Sequence, residues 1–465
     1  MCAPYLRETD PRPIMSRVPT AAAALALILP SAHAQAAFTG LGDLPGGDRD
    51  SKGYAVAVGG AAVVGESEVA GGRVAFRWTE SGGMVSLGDF PGDPLESRAN
   101  AISSDGTIVA GQGRSDNGIE AFRWTEAEGL KALGDLTGGF HFARALYMTP
   151  DGSVIVGESN SANGFEAFRW TEDTGMVGIG DLDGGFFMSQ AYAISADGRV
   201  IAGQSNSANG AEAFRWTEDE GMVGLGDLPG GTYFSVVYAA SEDGSVLAGW
   251  GQSPDGIEAF RWTEDEGMVG LGDLPGSFFH SVALAVSADG SVVVGHSEGD
   301  PVGFHAFVWT ESDGMRDLKT LLETDYGLDL GTWRLNLVYD ISDDGTALTG
   351  HGTNPSGQTE AWLVTGLTLG AVSTEAPPAN GTLALTAAPN PAHASAQIGF
   401  TLAAPGSVAL DVFDALGRRV AQVRRAMPAG WGTLEVGTAG WPAGTYLARV
   451  QTDVASGRLP FTVSR

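Results

Sequence analysis

One five-residue motif and a few side-chain types in this chain could carry chemistry. Residues 295 to 299 (GHSEG) match the Gly-x-Ser-x-Gly nucleophile elbow of serine hydrolases, which requires a strand, a tight turn and then a helix. Here the motif aligns with Gly157-Glu158-Ser159-Asn160, and another strand pattern follows it. We therefore do not expect a hydrolase elbow, and we predict no catalytic residue.

Metal and aromatic sites are the next possibilities. The histidines between residues 141 and 351 occur singly, without the paired spacing of zinc sites, so we predict no metal ligands. No cofactor is expected; calcium at the many acidic turns is a weak candidate because no Asp-x-Asp-x-Asp-Gly loop occurs. Aromatic pairs recur after the Leu-Gly-Asp-Leu steps, and their rings could stack on sugars or wedge neighbouring sheets together. They are Phe140, Phe142, Phe186, Phe187, Tyr233, Phe234, Phe278 and Phe279.

A repeat of 46 residues must position these side chains. Trp78, Trp124, Trp170, Trp216, Trp262, Trp309 and Trp362 are separated by 46, 46, 46, 46, 47 and 53 residues. Each period reads as four short strands divided by Gly-rich turns, as Tyr192–Ser195, Arg199–Gly203, Glu212–Thr217 and Met222–Leu228 illustrate. A period in the forties is typical of propellers and solenoids.

The two ends of the repeat region complement each other. The region opens with an isolated fourth-strand sequence, Phe38–Leu44, and its last period stops after a third strand at residue 364. We therefore predict an all-β, seven-bladed β-propeller over residues 35–365, closed by the N-terminal strand, with an open solenoid or two smaller arrays as the alternative. We expect the Ala-rich strand to be innermost, where small side chains suit a crowded channel, and Arg77 and its repeats to pair with the Asp of the neighbouring Leu-Gly-Asp strand.

One insertion breaks the regular period. Residues 318–336 extend the last repeat by 11 residues on the face that also carries the aromatic loops. Long loops on rigid scaffolds are often functional, while terminal repeats are often atypical caps, and both interpretations remain open. Tyr326, Trp333 and Arg334 complete the candidate ligand-binding residues.

Composition restricts the partners. The 465 residues include 69 Gly and one Cys, and 56 acidic against 26 basic side chains give a net charge of -30. Such a charge excludes a nucleic-acid partner. Residues 1–34, with Met15 as an alternative start, contain an apolar run and Ala32-His33-Ala34, which predict a secretory signal peptide cleaved between Ala34 and Gln35. No transmembrane segment is expected in the mature chain.

The repeated steps Leu-Gly-Asp-Leu-Pro-Gly-Gly, Ser-Ala-Asp-Gly and Ala-Phe-Arg-Trp-Thr resemble the HAF-type probable extracellular repeat family. That resemblance implies export and brings no established activity. A Pro- and Thr-rich linker follows at residues 366–382, and residues 383–465 carry a net charge of +3 from seven basic and four acidic side chains.

Residues 383–465 resemble a type IX secretion system type A C-terminal sorting domain. The resemblance rests on the residues Pro389, Asn390, Pro391, Asp411, Gly417, Gly444 and Tyr446. It implies a small Ig-like β-sandwich that delivers the chain, via the periplasm and the type IX outer-membrane machinery, to the cell surface or the medium. A plain accessory Ig-like module is the alternative for this segment.

These features together predict an exported binding or scaffold protein rather than an enzyme. Its propeller would bind a glycan or a surface protein. A secreted polysaccharide hydrolase or lyase that uses the ligand face of the propeller is the alternative.

Overall fold

The chain is almost entirely built of β-strands. A computed structural model describes residues 36–465 except 93, 277, 302, 370–380, 383–384, 389, 391, 403–405, 414–418, 428–429, 453–454 and 465. The chain divides into two compact units, one ending at Leu369 and the other beginning at Gly370. The predicted leader and its cleavage bond lie outside the described residues.

The first unit contains 28 described strands and one α-helix. Strands β1 to β13 are Ala37–Gly40, Ser51–Val56, Val63–Val69, Gly72–Thr79, Gly83–Gly88, Leu95–Ile102, Ile108–Ser115, Gly118–Thr125, Gly129–Ala132, Gly138–Met148, Val154–Ser161, Phe165–Thr171 and Gly175–Gly178. Strands β14 to β25 are Gly184–Ile194, Ile201–Ser207, Gly210–Thr217, Gly221–Gly224, Ser235–Ala240, Val246–Gln252, Ile257–Thr263, Gly267–Gly270, Ser281–Val286, Val292–Glu298, Phe304–Thr310 and Gly314–Asp317. Helix α1 (Leu318–Thr324) and strands β26 (Arg334–Ile341), β27 (Leu348–Thr353) and β28 (Thr359–Thr365) follow.

These strands pair as antiparallel groups of four. Strands β2 to β25 form six groups in chain order, from β2-β3-β4-β5 to β22-β23-β24-β25. Short parallel pairings join the first four of these groups into one 16-stranded sheet. The seventh group is β26-β27-β28-β1, in which Ala37–Gly40 pairs antiparallel with residues 362–365. The N-terminal strand therefore completes the last group. It is shorter than predicted, because Leu41 and Leu44 leave the strand and are buried in the loop that follows.

Adjacent groups pack through one repeated arrangement. Phe168 of the third group is fully buried among Ala101, Ala110 and Ala121 of the second group. The same arrangement places Phe76 of the first group against Ala347 and Ala361 of the seventh. The small residues of the first three strands of each group therefore make room for the Phe of the next group, in addition to the expected role of the Ala-rich strand in a crowded channel.

Hydrogen bonds repeat at the same junctions. Ser189 Oγ accepts from the Ala167 amide of the preceding group at 2.9 Å. Ser51 Oγ accepts from the Ala361 amide at 3.0 Å, which is the same contact between the first and the seventh group. The first and last groups are thus joined like consecutive ones.

Alternating strand direction places the loops at two ends of each group. We call one end the loop face; it carries the connections between groups and the Asn-Gly or Asp-Gly turns that follow the second strands. We call the other end the turn face; it carries the Asp-Gly turns that follow the first strands. At the turn face, Asp105 accepts from the Ser103 hydroxyl at 2.7 Å and from the Thr107 amide at 3.0 Å, and Gly106 has φ of 74°. The fourth strands are short and end before most of the Leu-Gly-Asp steps, unlike the predicted Met222–Leu228.

The second unit consists of two sheets. Its strands β29 to β36 are Gly381–Thr382, Thr386–Ala388, Ser395–Leu402, Gly406–Phe413, Arg419–Met427, Gly430–Gly437, Gly444–Thr452 and Ala455–Val463. One sheet has the order β29-β36-β35-β32-β33 and the other β30-β31-β34. One core cluster joins them, with Phe400, Val450 and Phe461 fully buried or nearly so.

Candidate functional site

Three aromatic rings stand exposed at one repeat position of the loop face. Phe140, Phe186 and Phe278 are 60%, 88% and 66% exposed. Phe140 and Phe186 lie near the start of β10 and β14, and Phe278 lies on the connection that leads into β22. Rings this exposed bury little area between neighbouring sheets, although Phe140 also packs edge-to-face against Phe142 and Phe165 of its own group, with ring centroids 6.1 and 5.8 Å apart.

The other five predicted aromatics of these loops are half-buried. Phe142 packs edge-to-face against Phe165 with ring centroids 5.2 Å apart, and Phe234 stacks on Trp250 at 4.6 Å. The predicted set of eight thus divides into three exposed rings and five half-buried rings. The half-buried rings are Phe142, Phe187, Tyr233, Phe234 and Phe279.

A cavity opens on the loop face beside the 318–336 insertion. Its volume is about 610 Å³, which suits a small ligand. Trp333 and Arg334 line it, together with Phe304 and with Pro275 of the loop that also presents Phe278. Polar side chains complete the lining: Asp300, His305, Asp317, Lys319, Thr320, Glu323, Thr332 and Asn336.

The insertion forms a short helix where the sequence suggested an irregular loop. Asp317 begins helix α1 by accepting from the Thr320 amide at 2.7 Å. Leu318, Leu321 and Leu322 then turn into the core of the seventh group. The apolar side of the insertion therefore closes the last group, and its polar side lines the cavity.

Two basic side chains of the cavity are held in place by acceptors. Lys319 Nζ donates to the Gly331 and Trp333 carbonyls at 2.7 and 3.0 Å. The ring nitrogens of His305 lie 3.1 Å from an oxygen of Asp317 and 2.9 Å from the Pro301 carbonyl. These two contacts fix the orientation of the His305 ring.

Trp333 and Tyr326 have different surroundings. Trp333 packs edge-to-face on Phe38 of the closing strand, with centroids 5.2 Å apart, and its half-buried ring still borders the cavity. Tyr326 does not line the cavity; its hydroxyl accepts from the Thr368 amide at 3.1 Å. The structure therefore brings Trp333 and Arg334 together and places Tyr326 elsewhere.

Sequence reasoning missed a buried ionic network at the start of the first strands. Glu66 is 4% exposed and accepts from Arg73 and Arg98, each at 2.8 Å, with Lys52 at 3.8 Å. Burial opposes ionisation of Glu66, but the charge of Arg98 and the hydrogen bonds from Arg98 and Arg73 lower its pKa below the usual value. A second buried carboxylate, Glu158, pairs with Arg144 in the third group.

In the sequence, this network is marked by positions that vary between otherwise nearly identical repeats. Lys52 pairs across strands with Glu66, and the equivalent pairs are Arg98 with Gln112 and Arg144 with Glu158. Where the repeats otherwise agree, these positions change identity from group to group. A search for repeated residues overlooks them because they are not repeated.

The elbow-like motif has no catalytic geometry. Ser297 lies on strand β23, is fully buried, and its Oγ accepts from the Leu274 amide at 3.0 Å. Strand β24 follows it. The recurrent arginines also differ from expectation, because Arg215 and Arg261 pair with Glu220 and Glu266 of the turn face at 3.1 and 3.2 Å, not with the Asp of the Leu-Gly-Asp step.

The described sorting residues have structural roles. Asn390 accepts from the Thr462 amide at 2.9 Å, and the buried Tyr446 donates to the Pro442 carbonyl at 2.8 Å. Gly444 begins strand β35, and Asp411 lies on strand β32. Pro389, Pro391 and Gly417 lie outside the described residues.

Comparison with known families identifies the C-terminal segment. Residues 386–458 match the secretion system C-terminal sorting domain, the sorting signal of type IX secretion. The chain is therefore secreted to the cell surface or the extracellular space. No curated protein matches the chain, and no match supports the HAF-type resemblance of the repeats.

Solved structures match at low similarity. A putative TolB from Agrobacterium tumefaciens is 14% identical, with 61% of this chain and 93% of that chain covered and a TM-score of 0.37. For Porphyromonas gingivalis dipeptidyl peptidase 4 the values are 13%, 81%, 59% and 0.36, and for the Dos1 propeller 11%, 66%, 76% and 0.34. These similarities are too low to indicate a function.

None of the helices among the described residues has the length and apolar character that a membrane crossing requires. Among the same residues, no three His, Cys, Asp or Glu side chains are grouped so that they could hold a metal ion.

Proposed function

We propose that this chain is a non-catalytic binding protein that acts outside the cell, where its N-terminal unit binds a glycan. In this proposal the N-terminal unit is a closed, seven-bladed β-propeller. The C-terminal unit is an Ig-like sandwich that engages the type IX outer-membrane machinery.

The loop-face cavity is the observation that carries the binding proposal. It combines the aromatic rings of Trp333 and Phe304 with hydrogen-bonding side chains in a concave site of about 610 Å³. Sugars present apolar C–H faces and many hydroxyls, so they are bound by aromatic rings next to charged and amide groups. The exposed Phe278, on the loop that supplies Pro275 to the cavity, would extend the site for a longer glycan.

The environment of His305 supports binding without catalysis. A general base needs a free lone pair within reach of the substrate. Both ring nitrogens of His305 are instead directed at fixed acceptors. The Arg334 side chain, which is exposed at the rim, suits glycans that carry carboxylate or sulfate groups.

A glycan screen tests this proposal. The full chain is applied to a microarray of neutral and acidic polysaccharide fragments, and the same fragments are incubated with the protein and analysed for cleavage. Binding without cleavage is expected. Cleavage that the Arg334→Ala variant loses would instead favour the hydrolase or lyase alternative, and the absence of any bound glycan would contradict the proposal.

A further inference from the structure

A second cavity lies at the turn-face end of the first strands, away from the proposed glycan site. Its volume is about 390 Å³, and first strands or the turns after them contribute from all seven groups. Most of the residues that line it are apolar in type, including Val56, Ile102, Met148, Ile194 and Val286. A cavity of this size and composition is large enough for a small organic ligand.

One charged side chain, Asp340, enters this wall at a strand position that is alanine in five of the other six groups. Asp340 pairs across strands with Thr349, and the equivalent first-strand position is Ala in five groups and Tyr147 in the third. Those alanines are Ala55, Ala101, Ala193, Ala239 and Ala285. Both exceptions, Asp340 and Tyr147, line the cavity.

The buried carboxylate has no opposite charge. Asp340 is 7% exposed, and its Oδ2 accepts from the Val56 amide at 2.9 Å. Among the described residues, no Lys, Arg or His nitrogen lies within 4.0 Å of it. An unpaired ionised carboxylate in an apolar cavity is strongly unfavourable.

The other titratable groups around the cavity are also acidic or neutral. Glu242, Asp343 and Asp344 lie among its lining residues, and Tyr147 faces it from the third group. Asp344 is engaged by the Ser342 hydroxyl at 2.6 Å and belongs to its own turn. None of the residues that line the cavity is Lys, Arg or His, so only a ligand could bring a positive charge to Asp340 here.

We propose that this cavity binds a primary alkylammonium group, with the ammonium on Asp340 and the alkyl chain against the apolar wall. The ammonium would supply the missing charge and up to three N–H donors. Four or five methylenes would replace water along Val56, Ile102 and Ile194. This site is independent of the proposed glycan site.

The affinity of this site for an ammonium group should depend on pH, because Asp340 itself can bind a proton. Burial, helped by the nearby charge of Asp343 and opposed by the Val56 hydrogen bond, raises the pKa of Asp340 to about 8. At neutral pH the empty site therefore holds a proton that an ammonium must displace. Burial also raises the pKa of Tyr147 well above its usual value, so the phenol stays neutral throughout. Affinity should rise between pH 6 and pH 9 and fall again where the amine itself loses its proton.

Calorimetric titration of the full chain with 1-aminopentane tests this inference. We expect binding that strengthens about tenfold or more from pH 6 to pH 8.5, and no heat from 1-pentanol. Asp340→Asn keeps an acceptor for the Val56 amide and should abolish binding. Glu264→Gln, which removes one exposed turn-face charge, should leave it unchanged. A titration with Nα-acetyl-lysine-N-methylamide distinguishes a cavity that also admits lysine side chains from one that admits only free amines.

Three results would overturn the proposal. They are equal binding by Asp340→Asn, binding of 1-pentanol as strong as that of the amine, and no binding of either amine. If Asp340→Asn fails to fold, Ile194→Trp offers a second test, since filling the cavity should block the amine while circular dichroism reports the fold.

Discussion

The Val56 amide donates to the Asp340 carboxylate across 284 positions of sequence, at 2.9 Å. This bond joins the first strand of the first group to the first strand of the seventh. Together with the Ser51 contact to Ala361, it links the two ends of the repeat region through side chains as well as through strand pairing. The contact between the two ends of the repeat region therefore does not depend on β1 alone.

The closing strand supplies the first prediction. Deletion of residues 38–44 removes the pairing with β28, the ring of Phe38 against Trp333 and the buried Leu41 and Leu44. Losing several partly buried apolar side chains costs about 4 kcal/mol or more, and we expect the melting temperature to fall by about 8 °C or more. Differential scanning calorimetry measures this. An unchanged melting temperature would contradict closure.

Equivalent serines allow a comparison of junctions. Ser51→Ala and Ser189→Ala each leave a buried backbone amide without its acceptor, one at the closing junction and one between consecutive groups. Each should lower the free energy of unfolding by about 1 to 3 kcal/mol. Ser245→Ala, at an exposed turn, is the control and should cost less. A costly Ser189→Ala beside a neutral Ser51→Ala would indicate that the ends are not joined as described.

The Glu66 network predicts a pH-dependent stability. Because its folded-state pKa is lowered, ionised Glu66 stabilises the fold above its unfolded pKa, and this stabilisation is lost as pH falls through the folded pKa. Glu66→Gln should therefore cost about 2 kcal/mol at pH 7, where it leaves Arg98 and Arg73 without their carboxylate, and less near pH 3. Urea unfolding at both pH values measures the difference. The control Glu96→Gln removes the exposed partner of Arg114 and should cost less than about 1 kcal/mol. A cost for Glu66→Gln that is the same at both pH values would contradict this account.

The sorting segment gives a prediction about location. A chain that lacks residues 383–465 should accumulate in the periplasm, while the intact chain reaches the surface or the medium. Fractionation followed by immunoblotting measures this, and a fusion of residues 366–465 to a periplasmic carrier protein is the complementary test. Normal delivery of the truncated chain would contradict the role of the segment.

The repeat period allowed much of the fold to be predicted. The spacing of Trp and Asp-Gly marks the groups because equivalent residues make equivalent contacts in each group. Phe168 and Phe76, for example, both pack against small residues of the preceding group in the ring order. The ends of the fourth strands were predicted less well, because the Leu-Gly-Asp steps continue the strand pattern but form loops.

The candidate sites were harder to predict. Trp333 and Arg334 were found because the insertion is visible in the sequence, whereas exposure alone separates Phe186 from its neighbour Phe187. Asp340 and Glu66 occupy positions whose importance depends on what surrounds them after the strands pair. A hydrophobic pattern does not report which groups will face each other across a sequence separation of hundreds of residues.

The affinity for an acidic glycan tests the central claim most directly. Full-length protein carrying Arg334→Ala and Phe278→Ala should bind the glycan found in the screen at least about tenfold more weakly than the wild type. A control carrying Arg199→Ala and Val223→Ala also removes one arginine and one exposed apolar side chain, but away from the loop face, and should bind like the wild type. Equal dissociation constants for both variants, measured by isothermal titration calorimetry on folded protein, would contradict a binding site on the loop face.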